Sequence, residues 1–288
     1  MGQESLRLLS KLPEVALAAF GVLMMHGFKC FLDDVPPGEL VEALLHLRPG
    51  EVTTAAALEE QMSSSGTSVS FRFRTNTVGR LRDLGLIRGD RHFEISDAGL
   101  ACKRVYGFDP SEFFEIAHYL HLLSAASGGP AYLWSYLLIC EFLSENPAGA
   151  THMEVSSYVL QRLEERYPGR QPVFDKASIG KCYRWLKQIA PNPLPHKKPV
   201  LEWRNTAYAR AFLLAVACFY RLAGFEFGYP VLLDGQHRWG LRRLAFLTEE
   251  ALDQVLRELV EEGRLIRKYG VTGTSVTLEA LPDVSTIW

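Results

Sequence analysis

This 288-residue sequence has no closely spaced cysteines, such as a Cys-x-x-Cys motif, and no large excess of positive or negative charge. Its five cysteines, Cys30, Cys102, Cys140, Cys182 and Cys218, are separated by 36 (Cys182 to Cys218) to 72 (Cys30 to Cys102) residues. This spacing suits neither a disulfide framework nor a zinc finger, and it predicts a reducing, cytoplasmic environment. The net charge of −2 excludes a polycation, so any surface that binds nucleic acid must be local.

Hydrophobic runs of membrane-spanning length are also lacking. The apolar stretches at residues 15–25 and 211–219 have about half the length that a bilayer crossing needs. Pro13 and the charges around it make the start of the chain unlike a signal peptide. We therefore predict two buried helices and no contact with a membrane.

Signatures of catalysis are absent as well. The sequence contains no Gly-x-Ser-x-Gly, no P-loop and no His-Glu-x-x-His. Glu115, His118 and His121 share the spacing of one half of a di-iron site, but no second Glu-x-x-His follows. We expect these histidines to be polar residues on a helix face, and we predict no catalytic residue, no metal site and no cofactor.

What the sequence does contain is a repeated order of elements, first seen in residues 73–99. A helical pattern ends at Leu84 and Gly85, and glycine supplies the left-handed residue that follows a helix. "LIRGDRHFEIS" then predicts two short strands around a Gly-Asp turn. A helical wheel places four apolar residues on the buried face of this helix: Val69, Phe73, Leu81 and Leu84.

The same order recurs twice further along the chain. In residues 174–190, Asp175 is the expected N-cap of the helix. A proline-rich segment then replaces the tight hairpin. The buried face of the helix is predicted to consist of Ile179, Cys182, Leu186 and Ile189. In residues 247–281, Thr248 is the expected N-cap, Gly263 ends the helix, and a hairpin turns at residues 270–273. The apolar face of this helix is predicted to consist of Leu252, Val255, Leu256, Leu259 and Val260.

A helix, a glycine stop and a short hairpin resemble the end of a winged helix-turn-helix domain. The resemblance implies a mainly α protein with small β-hairpins, built from three winged-helix-like modules in tandem. We place module 1, with an N-terminal helical region, in residues 1–125, module 2 in 126–200 and module 3 in 201–288. The boundaries are expected near residues 124–130 and 196–203.

The outward faces of modules 1 and 2 carry side chains suited to DNA. Guanidinium groups fit guanine or phosphate, and an asparagine amide fits adenine. The predicted contacts with double-stranded DNA are Arg72, Thr75, Asn76, Arg82, Arg88, Arg91, Lys181, Arg184, Lys187, Lys197 and Lys198.

The corresponding helix of module 3 is acidic and would be repelled by phosphates. We expect this helix to bind a protein partner or to mediate self-association. The residues predicted to do so are Glu250, Asp253, Glu258 and Glu261.

The stretch "VLLDGQHRWGLRRL" is typical of a strand that leads into a catalytic loop. Asp234 to Arg238 resemble the Asp-Gly-x-His-Arg stretch of ParB-like and DGQHR-domain proteins, which implies action on DNA or nucleotides. The alternative makes the stretch the short strand and second helix of module 3. In that case Trp239, Leu241, Leu244 and Phe246 are core, and the arginines Arg238, Arg242 and Arg243 form a basic helix face. We favour this structural alternative.

Two classes of function remain. The first is a bacterial DNA-binding protein that acts as a regulator or as the recognition component of a defence or restriction system. The second is a winged-helix scaffold that holds the subunits of a condensin-like or defence complex. A DNA-acting enzyme that uses the DGQHR stretch is a weaker third.

Overall fold

Helices make up most of the protein, which confirms the mainly α prediction. The computed structural model describes residues 28–271 and 273–288, so the helix predicted over residues 15–25 lies outside the described residues. The helices are α1 Pro37–His46, α2 Ala55–Ser64, α3 Val78–Asp83, α4 Asp97–Phe108, α5 Pro110–Ala126, α6 Ala131–Glu145, α7 His152–Arg166, α8 Ala177–Leu186, α9 Ala209–Ala223, α10 Gly235–Ala245, α11 Glu249–Glu261 and α12 Val284–Ile287. The strands are β1 Phe28–Lys29, β2 Ile87–Gly89, β3 Phe93–Ile95, β4 Pro172–Val173, β5 Val231–Leu232, β6 Ile266–Gly270 and β7 Gly273–Thr277.

Module 1 has the order α1, a bridging residue, α2, α3, β2, β3. The bridging residue Thr53 pairs with Phe93 of β3, which itself pairs antiparallel with β2. A π-helical turn, Phe73–Thr77, leads into α3, and Gly85 follows the helix at φ +73°. At Gly89, φ is +99° and a Cβ would lie 2.3 Å from the carbonyl oxygen of His92, so only glycine fits this turn. The predicted helix, glycine stop and hairpin are confirmed.

Module 3 repeats this order as α9, β5, α10, α11, β6, β7. Its sheet is antiparallel throughout, with the strand order β5-β7-β6. Thr248 caps α11 by accepting a hydrogen bond from the backbone N–H of Ala251, and Gly263 follows the helix at φ +68°. Gly240 of α10 packs against Phe219 of α9, whose ring a Cβ would approach to 2.6 Å. The caps, stops and hairpin predicted for this module are present.

Module 2 differs from modules 1 and 3 after α8. The buried face of α8 is as expected, with Ile179, Cys182, Leu186 and Ile189 almost fully buried. The proline-rich segment, however, forms no hairpin: described residues 187–203 lie outside any strand. Proline has no N–H and cannot complete the hydrogen-bond ladder of a hairpin, and Pro191, Pro193, Pro195 and Pro199 interrupt this segment. The proline-rich segment thus stands in place of the tight hairpin, as the sequence predicts.

The hydrophobic core is continuous across the three predicted modules. Helix α5 packs against α4, α6, α8 and α9, and α12 returns to α4. The indole N–H of the C-terminal Trp288 donates to Glu112 of α5 across 2.7 Å. The end of module 3 is thereby tied to the last helices of module 1.

Candidate nucleic-acid interface

The start of the predicted DNA-contact helix is fixed by a buried carboxylate, Glu39 of α1. One Glu39 oxygen accepts the backbone N–H of Ser70 at 2.7 Å, and the other accepts the Ser70 hydroxyl at 3.0 Å. Glu39 also accepts a hydrogen bond from the hydroxyl of Thr77. These bonds compensate the burial of the charge and lock the chain that enters the π-helical turn.

At that point the chain presents aromatic and polar groups to solvent. Phe71 is 100% exposed, and its neighbour Arg72 is also exposed. Thr75 faces outward as well, while Arg74 forms an exposed ion pair with Glu59 of α2. Arg72 and Thr75 lie where the sequence places them. Phe71, which precedes the predicted helix, was not among the predicted contacts.

Asn76 does not lie on the outer face. It is 8% exposed, and it accepts a hydrogen bond from the Thr75 hydroxyl at 3.1 Å. The prediction used about 100° of rotation per residue throughout, but a π-helical turn holds more residues per turn than an α-helix. The rotation per residue within the turn thus differs from that of the wheel, and Asn76 turns inward although Phe73 and Thr75 keep their predicted sides.

The phase of α3 itself agrees with the prediction. Phe73, Leu81 and Leu84 are at most 4% exposed. Arg80 is 2% exposed, however, and its guanidinium lies 4.5 Å from the centre of the Tyr132 ring. Sequence reasoning missed this buried arginine, because its partners are on α5 and α6.

The hairpin β2–β3 is attached to α3 by Arg82. Its Nε donates to the carbonyl oxygen of Gly89 at 2.9 Å, and Nη2 donates to that of Asp90 at 2.7 Å. Arg82 therefore positions the hairpin and leaves less of its guanidinium for DNA. In the hairpin, Arg88 pairs with Glu94 at 2.8 Å, whereas Arg91 is exposed at the turn.

In module 2, residues 28–36 of the chain contact the basic face of α8. The Lys181 ammonium donates to the carbonyl oxygen of Leu32 at 2.8 Å, and Arg184 pairs with Asp34. The indole N–H of Trp185 donates to Val35 across 3.1 Å. Both side chains hold this segment, and the side chain of Arg184 is still 47% exposed. Lys187, Lys197 and Lys198 are exposed.

In module 3, α10 neutralises part of the acidic face of α11. Arg238 pairs with Glu249 and with Asp253, each at 2.8 Å, and Arg242 pairs with Glu249 at 2.6 Å. Asp253 thus has an intramolecular partner, and its side chain is 47% exposed. Of the other predicted partner residues, Glu250 and Glu261 are exposed, and Glu258 accepts a hydrogen bond from Gln254 at 2.6 Å.

The DGQHR stretch begins α10. Asp234 caps the helix, its carboxylate accepting the backbone N–H of His237 at 2.9 Å. The His237 ring lies 2.8 Å from the carbonyl oxygen of Leu232 and packs against Phe219 and Phe225. Strand β5 before it is antiparallel to β7, so no parallel sheet surrounds Asp234 in the described chain. Leu241, Leu244 and Phe246 are core, as predicted, while Trp239 is half-buried.

The Glu115, His118 and His121 motif lies in the protein core instead of on a polar helix face. Glu115 pairs with the buried Arg204 and accepts the Tyr119 hydroxyl at 2.8 Å. His118 lies between the Tyr136 hydroxyl and the carbonyl oxygen of Leu244, at 2.9 and 3.0 Å. Among the residues that the structure describes, no cluster of His, Cys, Asp and Glu side chains is arranged to hold a metal ion.

The hairpin of module 3 is a basic surface that sequence reasoning missed. Its strand β6 carries Arg267 and Lys268, and Arg264 lies two residues before that strand. Tyr269 is 78% exposed and Val271 is fully exposed. The signal was present in the sequence, since residues 263–278 contain three cations and no acidic residue. The prediction for module 3 considered the strongly acidic helix before the hairpin and not the charge of the hairpin itself.

Comparison of the chain with protein-family models, curated proteins and solved structures found no match. Among the described helices, none combines the length and the apolar character that a membrane crossing requires. Function is therefore inferred from the geometry of the exposed groups.

Proposed function

We propose that this protein binds double-stranded DNA through winged-helix modules, principally module 1. The observation that carries the proposal is the element order of module 1: helix, bridging strand residue, two helices and a hairpin. The same order recurs in module 3. In a winged helix the third helix enters the major groove and the hairpin flanks it. In module 1 these positions correspond to α3 and the β2–β3 hairpin.

The charges of module 1 support this orientation. Arg72 lies at the start of the third helix and Arg91 at the hairpin turn, and both side chains are exposed. Arg82 links the two elements, so the helix and the hairpin present one continuous surface. Guanidinium groups on such a surface bind phosphates or guanine edges.

Module 3 would add a second contact through its hairpin. Arg264, Arg267 and Lys268 are positively charged, whereas the acidic α11 would face away from phosphates. Module 2 contributes through Lys187, Lys197 and Lys198, since Lys181 and Arg184 are engaged within the chain. A role as a regulator or as the recognition component of a defence or restriction system is consistent with such a protein.

Charge reversal tests the proposal. The variant with Arg72→Glu and Arg91→Glu is compared with the wild-type chain in binding to duplex DNA at several salt concentrations. Each lost phosphate contact should flatten the plot of log affinity against log salt by roughly 0.9. Arg104→Glu is the matched control, because Arg104 is an exposed arginine on α4, outside the proposed surface. If the double variant and the control bind alike, module 1 does not contact DNA.

An interaction scaffold is the competing function. It predicts a protein that binds duplex DNA no better than a neutral protein does and whose mass in solution depends on Glu250, Glu258 and Glu261. Sedimentation of a variant with lysine at these three positions measures that dependence. A change in mass without any DNA binding would favour the scaffold.

A further inference from the structure

Phe71 is a fully exposed aromatic side chain at the entrance to the third helix of module 1. Isolated exposed apolar residues are common on protein surfaces and need no function. Phe108, which is 90% exposed at the end of α4, is another in this protein. Phe71 differs from it in the groups that surround it.

The backbone on both sides of Phe71 is fixed. Ser70 is bound through its N–H and its hydroxyl to the buried carboxylate of Glu39. Phe73 is fully buried, and its N–H donates to the carbonyl oxygen of Ser70 at 3.0 Å. With Phe73 occupying the core, the Phe71 ring is held outward. A backbone that is ordered before binding loses less conformational entropy when the side chain on it binds.

The neighbours of Phe71 are those of a nucleic-acid contact. Arg72 and Thr75 are exposed beside it, and the ion pair of Arg74 with Glu59 lies on the same entrance to the helix. Cations bind phosphates without regard to sequence, whereas an aromatic ring binds the face of a base by stacking. In an intact duplex those faces are hidden by the neighbouring base pairs.

We propose that Phe71 stacks against a base that has left the helical stack, so that the preferred substrate is duplex DNA containing a mismatched or unstacked base. The proposal rests on the DNA-binding function proposed above. Exposing a base in duplex DNA costs unstacking energy, which is smallest where a mismatch has already weakened the stack. Arg72 and Arg91 would hold the backbone while Phe71 selects the damaged or mispaired step.

The test uses the full chain and two duplexes of the same sequence, one fully paired and one with a central mismatch beside 2-aminopurine. The wild-type protein should bind the mismatched duplex about five- to tenfold more tightly, a value at the low end of base–aromatic stacking. It should also raise 2-aminopurine fluorescence, which reports unstacking. Phe71→Ala should abolish both effects and leave binding to the paired duplex and its salt dependence unchanged. Phe71→Trp should keep both effects.

Phe108→Ala is the matched control, since it removes a phenyl ring of nearly equal exposure from another element and should behave as the wild type. The proposal is overturned if the wild-type protein shows no preference for the mismatch, or if Phe71→Ala keeps that preference. It is also overturned if Phe71→Ala instead alters self-association, which would make the ring a protein contact. If binding to the paired duplex depends on Arg72 and Arg91, DNA binding stands even when the stacking proposal fails.

Discussion

Arg80 of α3 donates a hydrogen bond from Nη1 to Nε2 of His121 in α5 across 2.9 Å, and both side chains are buried. A guanidinium has only donors, so Nε2 must be the acceptor and the proton of His121 must lie on Nδ1. Nδ1 is 2.6 Å from the carbonyl oxygen of Ala117, to which it donates. Burial and the charge of Arg80 hold the pKa of His121 well below its usual range. His121 is a neutral link between the third helix of module 1 and the central helix α5.

Acid should destabilise the fold through this histidine and its neighbour His118. Burial lowers the pKa of His118 to about 3, from an ordinary value of 6.5. Both folded-state pKa values are depressed, so the unfolded chain binds more protons than the folded one below pH 6.5. Stability is then complete above about pH 6.5 and should fall by roughly 3 kcal/mol per pH unit below it, for two protons together.

The measurement is the free energy of unfolding in denaturant between pH 7 and pH 5, as a function of pH. His118→Gln removes one of the two titrating groups, so its slope should be about half that of the wild type over the part due to histidine. The slope, rather than the absolute stability, is compared, because the substitution itself weakens packing. An unchanged slope in His118→Gln would show that the pKa of His118 is the same in the folded and the unfolded protein.

Arg204 and Glu115 should behave as a buried pair whose members are needed together. Arg204 donates to Glu115 and also to the carbonyl oxygens of Ala190 and Ala245, at 2.8 and 3.2 Å. Arg204→Met leaves the Glu115 carboxylate unpaired in the core and should cost about 3–5 kcal/mol. Adding Glu115→Gln to this variant should restore part of the loss. A double-mutant cycle by chemical denaturation measures the coupling free energy between the two side chains. A coupling near zero would show that they do not act as a pair.

Leu81 tests the orientation of the proposed DNA-contact helix. It is fully buried, so Leu81→Ala should lower the free energy of unfolding by roughly 2–5 kcal/mol. Leu281→Ala is the matched control, because Leu281 is 47% exposed and the same atoms are removed. Thermal and denaturant melting compare the two. Equal stability of both variants would mean that the outward placement of Arg72 and Thr75 is wrong.

The parts of the fold that sequence predicted are those set by neighbouring residues. Gly85, Gly263 and the cap at Thr248 depend on one turn of backbone, and each has the expected conformation or contact. Asn76 was misplaced because a π-helical turn changes the rotation per residue, which a regular wheel does not represent. The burial of Arg80 was not predicted, because the residues that bury it belong to helices distant in the sequence.

The intramolecular contacts of α8 in module 2 could not be predicted for the same reason, at longer range. The partners of Lys181 and Arg184 are about 150 residues away along the chain, at Leu32 and Asp34. A helical wheel shows that such a face is basic, but only the tertiary structure shows whether solvent or another segment covers it. A basic helix face is thus evidence for DNA only after its intramolecular partners are known.

This difference gives the last prediction, which separates the two basic surfaces. Lys181→Glu combined with Arg184→Glu places acids beside the Leu32 carbonyl and the Asp34 carboxylate, so the segment of residues 28–36 should detach from α8. We expect faster proteolysis in this segment and lower stability, with little change in the affinity of the remaining folded protein for duplex DNA. Arg72→Glu with Arg91→Glu should show the opposite pattern, weaker DNA binding at unchanged stability, because both side chains are exposed. Limited proteolysis, melting and a salt titration of DNA affinity on both variants make the comparison. The α8 variant could instead show a weaker affinity for DNA and a smaller salt dependence of that affinity, while residues 28–36 remain resistant to proteolysis. That result would show that α8 is a DNA-binding surface.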